Sequence, residues 1–362
     1  MAKSESLSRP TYAEISSENF LHNLNYIRQK VKNPFFCPMV KADAYGHGVS
    51  LLLSLLEHEK INSLGVVTIE EAIHLRRLGY KEQILCFASI YKNCKDIIDK
   101  YNITPVLSDL SHIDDLADTS VHVELNTAMN RMGIHPNEAQ TCIEKSIGNK
   151  IHIQGVMSHF ANGKTLLEED SPAAKQYEYF ESCVNRHFAG VEVKHLYNTD
   201  ALLAKGEVED FGARPGISLY GYSTAKDENL KPVMRLKTRI VKIHSVDSGE
   251  GVSYGPIWRA KRKSKIAVLP IGYADGLKRH LSSRYVFECH GQKVSQVGIV
   301  CMDYCMIDVT DLENVKMGDV VYVFGNEPEA VYEQARLEKT IPYEILTSIS
   351  ERVPRVLVEK FV

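Results

Sequence analysis

The chain has 362 residues, of which 44% are hydrophobic and 25% are charged, a globular composition long enough for two domains. Its formal charge of −3 and its pI near 6.5 give no electrostatic basis for nucleic-acid binding, and the one dense basic run, 259–265, is expected to be a solvated loop. No apolar run reaches the length of a membrane span, and the N-terminus lacks the apolar segment of a signal peptide.

The cysteine pattern indicates a reducing compartment. Eight cysteines occur without any CxxC pair, and most of them lie inside apolar runs. This pattern predicts reduced thiols in a cytoplasmic protein rather than a disulfide framework. Cys301 and Cys305 lie four residues apart, but no nearby His or Cys pair completes a ligand set. We therefore predict no metal site.

Strand-like and helix-like segments alternate over the first two thirds of the chain, after an N-terminus (1–10) that is expected to be flexible. The short apolar, β-branched runs are 35–41, 63–68, 84–89, 104–108, 121–126, 153–160, 194–199 and 211–220. Helical patterns separate most of them, as at 50–60, 69–79 and 172–188. Such alternation predicts parallel pairing, because the crossover between parallel strands is usually a helix. Eight units predict a closed (β/α)8 barrel of the TIM type rather than an open doubly wound sheet.

The pattern changes near residue 232. Beyond it, strand-like runs follow one another with short turns, His290-Gly291 is a candidate hairpin turn, and a little helix is expected near 330–350. We predict a barrel domain over 11–232 and a mostly antiparallel C-terminal β domain over 233–362.

Lys41 ends the first predicted barrel strand, within the segment FFCPMVKADAYGHG at 35–48. Active sites of such barrels lie at the C-terminal ends of the strands. A lysine there either extends its amine to water or forms an imine with an aldehyde, for which partial burial would supply the free amine. Gly46 and Gly48 would let the backbone turn sharply behind it. Position alone does not separate the two interpretations.

Other polar residues lie at the ends of later predicted strands or in the last one, and would face the same end of the barrel as Lys41: His159, Asn198, Thr199 and Arg214. The segment ARPGISLYG at 213–221 overlaps the last predicted strand, and barrel enzymes often bind phosphate near its end through backbone N–H groups. Gly216 and Ile217 would supply these donors. Each signal is weak alone, since a strand-end histidine or asparagine is usually structural, but together they predict one ring of reactive side chains.

The segment VKADAYGHG closely resembles the cofactor-lysine signature of the alanine racemases, enzymes that use pyridoxal phosphate (PLP). Segments that resemble this family recur in order along almost the whole chain: ARPGISLYG, VSYG at 252–255, LPIGYADG at 269–276, VGIVCMD at 297–303, PYEIL at 342–346 and RVPR at 352–355. The resemblance implies a PLP barrel with a C-terminal β domain, paired as a head-to-tail homodimer. It also implies that strand 11–16 packs with the C-terminal domain.

The resemblance also implies roles for the matching residues. Lys41 would hold PLP as a Schiff base and act as one of two bases, while Arg214 would face the pyridine nitrogen. Tyr254 would be the second base, tuned by His159. The groups near the phosphate would be Tyr45, Asn198, Thr199, Gly216, Ile217 and Tyr343.

The substrate side of the site would combine both subunits. Arg131 would reach the substrate carboxylate. Met302 and Asp303, like Tyr254, would come from the other subunit. In the family, a carbamylated lysine often orients the arginine that matches Arg131, and Glu124 stands at that position here. We expect Glu124 to supply the anion directly; the alternatives are a bridging water or anion, or Asn126 as the group that holds Arg131.

The other departures from the family lie in the same motif and at the entrance. Asn126 and Ala128 replace an aspartate and a glycine, Ile299 replaces the usual arginine, and Lys164 replaces an acidic residue. These changes affect the expected substrate range more than the reaction type.

The favoured interpretation is a cytoplasmic, PLP-dependent alanine racemase that interconverts L- and D-alanine by a two-base mechanism for peptidoglycan synthesis. A racemase for serine or a wider set of amino acids is one alternative, given Ile299 and Lys164. A non-racemising PLP-binding barrel protein is another, although such proteins typically lack a C-terminal β domain. A PLP decarboxylase would share the barrel lysine but not the other segments. No membrane or nucleic-acid partner is predicted.

Overall fold

The structure is a computed structural model that describes residues 9–88, 91–325 and 327–361. Most of the predicted flexible N-terminus, 1–8, lies outside these ranges, as does Ser89 at the end of the third predicted strand. Within them the chain forms a parallel barrel followed by a mostly antiparallel β domain. The predicted fold class is therefore confirmed.

The barrel is built from strands that pair in chain order. Seven parallel strands form one sheet: Ser63–Val66, Gln83–Cys86, Thr104–Leu107, Ser120–Glu124, His152–Met157, Val193–Tyr197 and Gly212–Ala213. The extended segment 35–40 closes it, because Phe36 bridges to Ala213 on one side and Met39 bridges to Gly65 on the other. Seven of the eight predicted strands are present in this sheet, and the first is an extended segment joined to it by isolated bridges. All end before the predicted boundary.

Helices cover the outside of the barrel: Ser17–Gln29, Val49–His58, Ile69–Leu78, Lys95–Lys100, Ala139–Gly148, Pro172–His187 and Thr199–Lys205. Their inner faces are apolar. In the second of them, for example, Leu52, Leu53 and Leu56 are all buried in the main core. This burial of one apolar stripe per helix is what fixes the helices against the sheet.

The C-terminal domain has two sheets. The larger one contains, in spatial order, Gln292–Ser295, Val286–Cys289, Val320–Phe324, Met234–Arg239, Tyr12–Ser16 and Arg355–Val358. The smaller one contains Lys242–Val246, Ser264–Leu269 and Cys305–Asp308. Two helices, Pro328–Glu338 and Pro342–Thr347, lie near the predicted helical region. The predicted hairpin turn is present, with left-handed backbone at His290 and Gly291.

The first strand of the chain belongs to the C-terminal domain. Tyr12–Ser16 pairs antiparallel with Met234–Arg239 and parallel with Arg355–Val358. All five of its residues are buried. The two ends of the chain are thus joined in one sheet, while the domain boundary at 232/233 stays a prediction.

Two histidines lie inside the barrel among apolar side chains. The surrounding cluster comprises Phe35, Cys37, Leu85, Val106 and Met157. The Phe35 ring lies 4.5 Å from the ring of His195 and 5.7 Å from that of His122, centroid to centroid. A Cβ atom at Gly155 would overlap the His122 ring, so glycine makes room for it.

Three general features of the described residues bear on function. None of their helices is long and apolar enough to cross a membrane. All eight cysteines are free thiols, six of them buried. No group of three or more His, Cys, Asp or Glu side chains in the described ranges could hold a metal ion.

Candidate active site

A cavity of about 570 Å³ opens at the C-terminal ends of the barrel strands. Its polar wall contains most of the predicted site: Lys41, Tyr45, Glu124, Arg131, His159, Asn198, Thr199, Arg214, Gly216 and Tyr343. Apolar side chains, including Phe87 and Met132, complete the wall. Tyr343 comes from a helix of the C-terminal domain, so both domains build the cavity. Ile217 is buried next to Gly216 and is not part of the wall.

Lys41 is followed by a turn of left-handed helix. The φ angles of Ala42, Asp43 and Ala44 are 50°, 53° and 55°, and Tyr45 continues the turn at 53°. This backbone costs L-residues roughly 1–2 kcal/mol each, because Cβ approaches the following carbonyl oxygen. The sequence placed the sharp turn at the glycines, whereas the left-handed backbone begins four residues before Gly46. Such strain persists only where the surroundings enforce it, which is frequent at functional sites.

Several contacts hold this turn in place. The Val49 N–H donates to Asp43 Oδ1 at 2.7 Å, and Arg355 Nε donates to the Gly46 carbonyl oxygen at 3.0 Å. The remaining guanidinium nitrogens of Arg355 donate to backbone carbonyls of its own domain. A Cβ atom at Gly46 would overlap the Leu346 carbonyl, so the C-terminal domain packs directly on the turn.

The Lys41 amine is largely removed from solvent and lies near positively charged side chains. Desolvation and the charges of Arg131 and Arg214 lower its pKa, while the Glu71 carboxylate acts in the opposite direction. A lowered pKa supplies the unprotonated amine, the form that attacks an aldehyde. Within the described ranges no hydrogen bond or ion pair occupies this amine. Lys41 is therefore placed to react with a carbonyl group in the cavity.

Arg214 is fully anchored except at one nitrogen. Its Nη1 donates to His195 Nδ1 at 2.7 Å, and its Nη2 donates to the Ser158 carbonyl oxygen at 2.7 Å and lies 3.5 Å from His159 Nδ1. Burial lowers the pKa of Arg214 to about 10, so the guanidinium stays charged at neutral pH. Its Nε has no partner in the part of the chain that the structure describes, which leaves one donor for a ligand.

The Arg214 contact fixes a chain of histidine tautomers. His195 Nδ1 accepts from Arg214, so His195 carries its proton on Nε2 and donates it to His122 Nδ1 at 2.8 Å. His122 then carries its proton on Nε2, which has no described partner. Burial and the Arg214 charge lower the pKa of His122 to about 3 and also lower that of His195 well below its usual value. Both rings stay neutral, and Arg214 is the only charged group of the three residues in this hydrogen-bonded series.

His159 is also held as a neutral ring. Desolvation, followed by the charges of Arg214, Arg131 and Lys41, lowers its pKa to about 3. Its Nδ1 faces Arg214, so the proton lies on Nε2. This N–H is a donor available at the cavity wall.

One end of the cavity is lined by hydroxyls. Thr199 Oγ1 accepts the Gly216 N–H at 3.1 Å and lies 3.0 Å from Ser218 Oγ. The Tyr45 phenol lies against Gly216, where a Cβ atom would overlap it, and its ring is 5.9 Å from that of Tyr343. Hydroxyl and N–H donors in this arrangement suit an anion with several oxygens. The Gly216 N–H, predicted to face phosphate, is bonded to Thr199 in this structure.

Asn198 contributes to this wall as a helix cap. Its Oδ1 accepts the Ala201 N–H at 3.0 Å at the start of helix Thr199–Lys205. Its Nδ2 donates to the Phe160 carbonyl oxygen at 3.4 Å. The side chain thus positions the helix start and Thr199 beside it.

Glu124 and Arg131 line the same cavity without forming an ion pair. Burial raises the pKa of Glu124, and the charges of Arg214 and Arg131 act in the opposite direction. Neither side chain has a hydrogen-bond or ion-pair partner among the described residues. Asn126 does not hold Arg131 either, since its Oδ1 accepts the Asn130 N–H at 3.0 Å. The partnership of Glu124 and Arg131 stays a prediction.

Three predicted site residues lie outside this cavity. Tyr254 and Met302 are 72% and 52% exposed on the C-terminal domain, and Asp303 accepts a hydrogen bond from Arg352 at 2.7 Å. Tyr254 lines a separate concavity with other residues of that domain, among them Cys301, Tyr304 and Met306. The chain folds these residues away from its own Lys41.

Family models match most of the chain. The model described as "Alanine racemase, N-terminal domain" matches residues 15–224, and "Alanine racemase, C-terminal domain" matches residues 233–357. Alanine racemase 1 of Clostridium acetobutylicum is 34% identical over 97% of this chain and 96% of its own length. The alanine racemase of Halothermothrix orenii is 35% identical over 96% and 97%.

Solved structures of relatives agree with the fold. Alanine racemase of Clostridium difficile 630 superposes with a TM-score of 0.90 at 32% identity, covering 98% of this chain and 97% of that chain. The same enzyme is also known in complex with cycloserine. The alanine racemase of Bartonella henselae with covalently bound pyridoxal phosphate has a TM-score of 0.85 at 28% identity, covering 96% and 99%.

Proposed function

The chain belongs to the alanine racemase family, and we propose from this membership and from the site that it interconverts L-alanine and D-alanine with PLP held by Lys41. The observation that carries the proposal is the Lys41 amine, which has a lowered pKa and no partner in the described structure, and which lies in a cavity made by both domains. The enzyme is accordingly an isomerase that acts on an amino acid.

The cavity residues fit PLP. Lys41 supplies the amine, the free Nε of Arg214 supplies a donor for a pyridine nitrogen, and the hydroxyls of Thr199 and Tyr45 lie where a phosphate would bind. Gly216 leaves room for the Tyr45 phenol at that end, because a side chain there would collide with it. When bound, PLP withdraws electrons from the α-carbon of an amino acid and makes its hydrogen acidic.

Arg214 favours racemisation over competing reactions. A guanidinium does not give up its proton, so Arg214 would hold a pyridine nitrogen in its unprotonated form, which withdraws electrons less strongly. Arg214 would thereby favour return of the proton to the α-carbon. The histidine chain behind Arg214 is neutral, so it cannot supply a proton in its place.

Racemisation needs acid/base groups on both faces of the α-carbon. Lys41 would serve one face, and the partner subunit's Tyr254 would serve the other in a head-to-tail homodimer. The exposure of Tyr254 on the C-terminal domain, away from the chain's own cavity, supports this shared site. The Nε2–H of His159 would donate to that phenol and stabilise its deprotonated form.

The alternatives are less well supported. The matched relatives are named alanine racemases, and a serine or broader racemase rests only on Ile299 and Lys164, which do not line this cavity. The matched C-terminal domain argues against a non-racemising barrel protein. We place the enzyme in the cytoplasm, where D-alanine would serve peptidoglycan synthesis.

The function can be tested with purified protein and added PLP. L-Alanine and D-alanine should each be converted to the same equal mixture, since enantiomers have equal free energy, and D-alanine formation is followed with a D-amino-acid oxidase. L-Serine is assayed in parallel. Failure to form D-alanine would overturn the proposal, and faster turnover of serine would reassign the substrate.

Replacing Glu124 tests the altered entrance motif. Glu124→Gln keeps the shape but removes the charge, and should lower kcat/KM for alanine about tenfold through misplacement of Arg131, with PLP still bound. Burial raises the pKa of Glu124, so the wild-type anion is lost as pH falls through that value. The fall of kcat/KM at low pH that the wild-type protein should show should therefore be weaker in the variant. Unchanged kinetics and an unchanged profile would show that the charge has no role.

A further inference from the structure

The carboxylate of Glu71 takes part in an ordinary helix start. Thr68 Oγ1 accepts the Glu71 N–H at 3.1 Å, and Glu71 Oε2 accepts the N–H groups of Thr68 at 3.0 Å and Val67 at 2.9 Å. This reciprocal capping box satisfies free donors at the beginning of helix Ile69–Leu78. Capping alone would explain Glu71 if both oxygens faced the helix.

The other carboxylate oxygen leaves the helix. Glu71 Oε1 accepts the Ala42 N–H at 2.6 Å, from the preceding strand–helix unit of the barrel. This N–H belongs to the peptide that joins Lys41 to the left-handed turn. Charge-assisted hydrogen bonds are shorter and stronger than neutral ones, so the contact restrains this peptide firmly. The orientation of that peptide sets the direction in which the Lys41 side chain leaves the backbone.

We propose that Glu71 is a positioning residue for Lys41, fixing the peptide that follows the lysine and keeping a negative charge beside its amine. The proposal rests on the proposed function only in taking Lys41 as the reactive amine. Glu71 does not line the cavity, so it acts through the backbone and through its field.

The charges around Lys41 support this role. Arg131 and Arg214 act to lower the pKa of the amine, and Glu71 acts to raise it. The other titratable groups on the cavity wall are the Glu124 carboxyl, the neutral ring of His159 and the neutral phenols of Tyr45 and Tyr343. Loss of the Glu71 charge should therefore lower the pKa of Lys41 further.

The far end of the turn is held independently. Arg355 Nε donates to the Gly46 carbonyl oxygen, and the Val49 N–H donates to Asp43 Oδ1. A change at Glu71 thus frees the Lys41 end of the turn while these contacts remain. The variant is expected to fold with a misplaced lysine.

The chain offers a matched control in the same capping box. Thr68→Ala removes the hydroxyl that accepts the Glu71 N–H but leaves the Glu71 carboxylate and its bond to Ala42. Glu71→Gln removes the charge that binds Ala42. Both changes weaken the helix start, so both should lower the thermal midpoint by a few degrees. Only Glu71→Gln should affect Lys41.

Two readouts on purified apo protein report on Lys41 without an activity assay. The pKa of the amine is taken from the pH dependence of acetylation at Lys41, followed by mass spectrometry, and the affinity for PLP is taken from a titration of visible absorbance. Glu71→Gln should lower the labelling pKa and weaken PLP binding about tenfold. Thr68→Ala should change neither.

If the two substitutions changed the labelling pKa and the PLP affinity equally, Glu71 would act only as a helix cap and the proposal would be overturned. The same follows if Glu71→Gln leaves the labelling pKa of Lys41 and the PLP affinity unchanged. If Glu71→Gln does not fold, Glu71→Asp keeps the charge at the helix start but is too short to reach Ala42, and should weaken PLP binding in the same way. Normal PLP binding by Glu71→Asp would also contradict the proposal. Neither readout uses alanine, so the assay of D-alanine formation tests the proposed function independently of these measurements.

Discussion

Lys41→Ala should abolish alanine racemisation, with a loss of at least ~1,000-fold, because we propose this side chain as both the anchor for PLP and one of the two bases. The amine is the group in the cavity whose reactivity the surroundings raise, through desolvation and the charges of Arg131 and Arg214. The visible absorbance of lysine-bound PLP should disappear at the same time. The measurement is D-alanine formation together with the absorption spectrum.

Two controls separate loss of chemistry from loss of structure. Lys60→Ala removes an exposed lysine from the same domain and should leave both signals unchanged. Added methylamine should restore part of the activity of Lys41→Ala, since deletion of the side chain leaves space for a small amine in the cavity. A Lys41→Ala protein that racemises alanine at the normal rate without added amine would refute the site.

Tyr254→Phe removes a single hydroxyl and should slow racemisation in both directions by about 100-fold to 10,000-fold, the usual contribution of a positioned acid/base group. PLP absorbance should remain, because Tyr254 does not line the cavity that holds Lys41. Tyr304→Phe is the matched control, since Tyr304 is half exposed in the same concavity and should tolerate the loss of its hydroxyl.

Mixing the two inactive proteins tests where Tyr254 acts. In a heterodimer of Lys41→Ala and Tyr254→Phe chains with shared sites, one site carries both changes and the other carries neither. After subunit exchange at equal concentrations, about a quarter of the wild-type activity should return, because half the dimers are mixed and each has one intact site. No recovery after verified exchange would show that each chain completes its own site.

The general position of the site follows from the sequence because strand ends converge in a parallel barrel. Lys41, His159 and Asn198 lie at the ends of predicted strands and Arg214 lies in the last one, and the structure brings all four to one cavity. This convergence needs only the order of the strands, which the alternation of apolar and helical segments predicts well.

The conformation of the lysine turn could not be predicted in the same way. Alanine and tyrosine have no intrinsic preference for left-handed backbone, so Ala42 and Tyr45 gave no signal. The conformation is imposed by distant groups, namely Glu71, Arg355 and the Leu346 carbonyl. Tertiary contacts of this kind leave no local pattern.

The histidine chain was missed for a different reason. His122 and His195 lie within predicted strands, and a histidine in a strand is usually a structural residue of the core. Only the direction in which strand residues face shows that both point inside the barrel toward Arg214. The missing Glu124–Arg131 ion pair is likewise a matter of side-chain reach, which spacing along the chain does not determine.

The pairing of Tyr12–Ser16 with Arg355–Val358 determines how late during synthesis this sheet can be completed. Tyr12–Ser16 is synthesised more than 300 residues before its neighbour Arg355–Val358. Contacts between such distant parts of a chain form late and slow the folding of the whole. Arg355 lies in that later strand and also binds the Gly46 carbonyl oxygen, so the lysine turn gains this contact only after Arg355 has been synthesised. A nascent chain with a finished barrel therefore still lacks one of the contacts that hold the lysine turn.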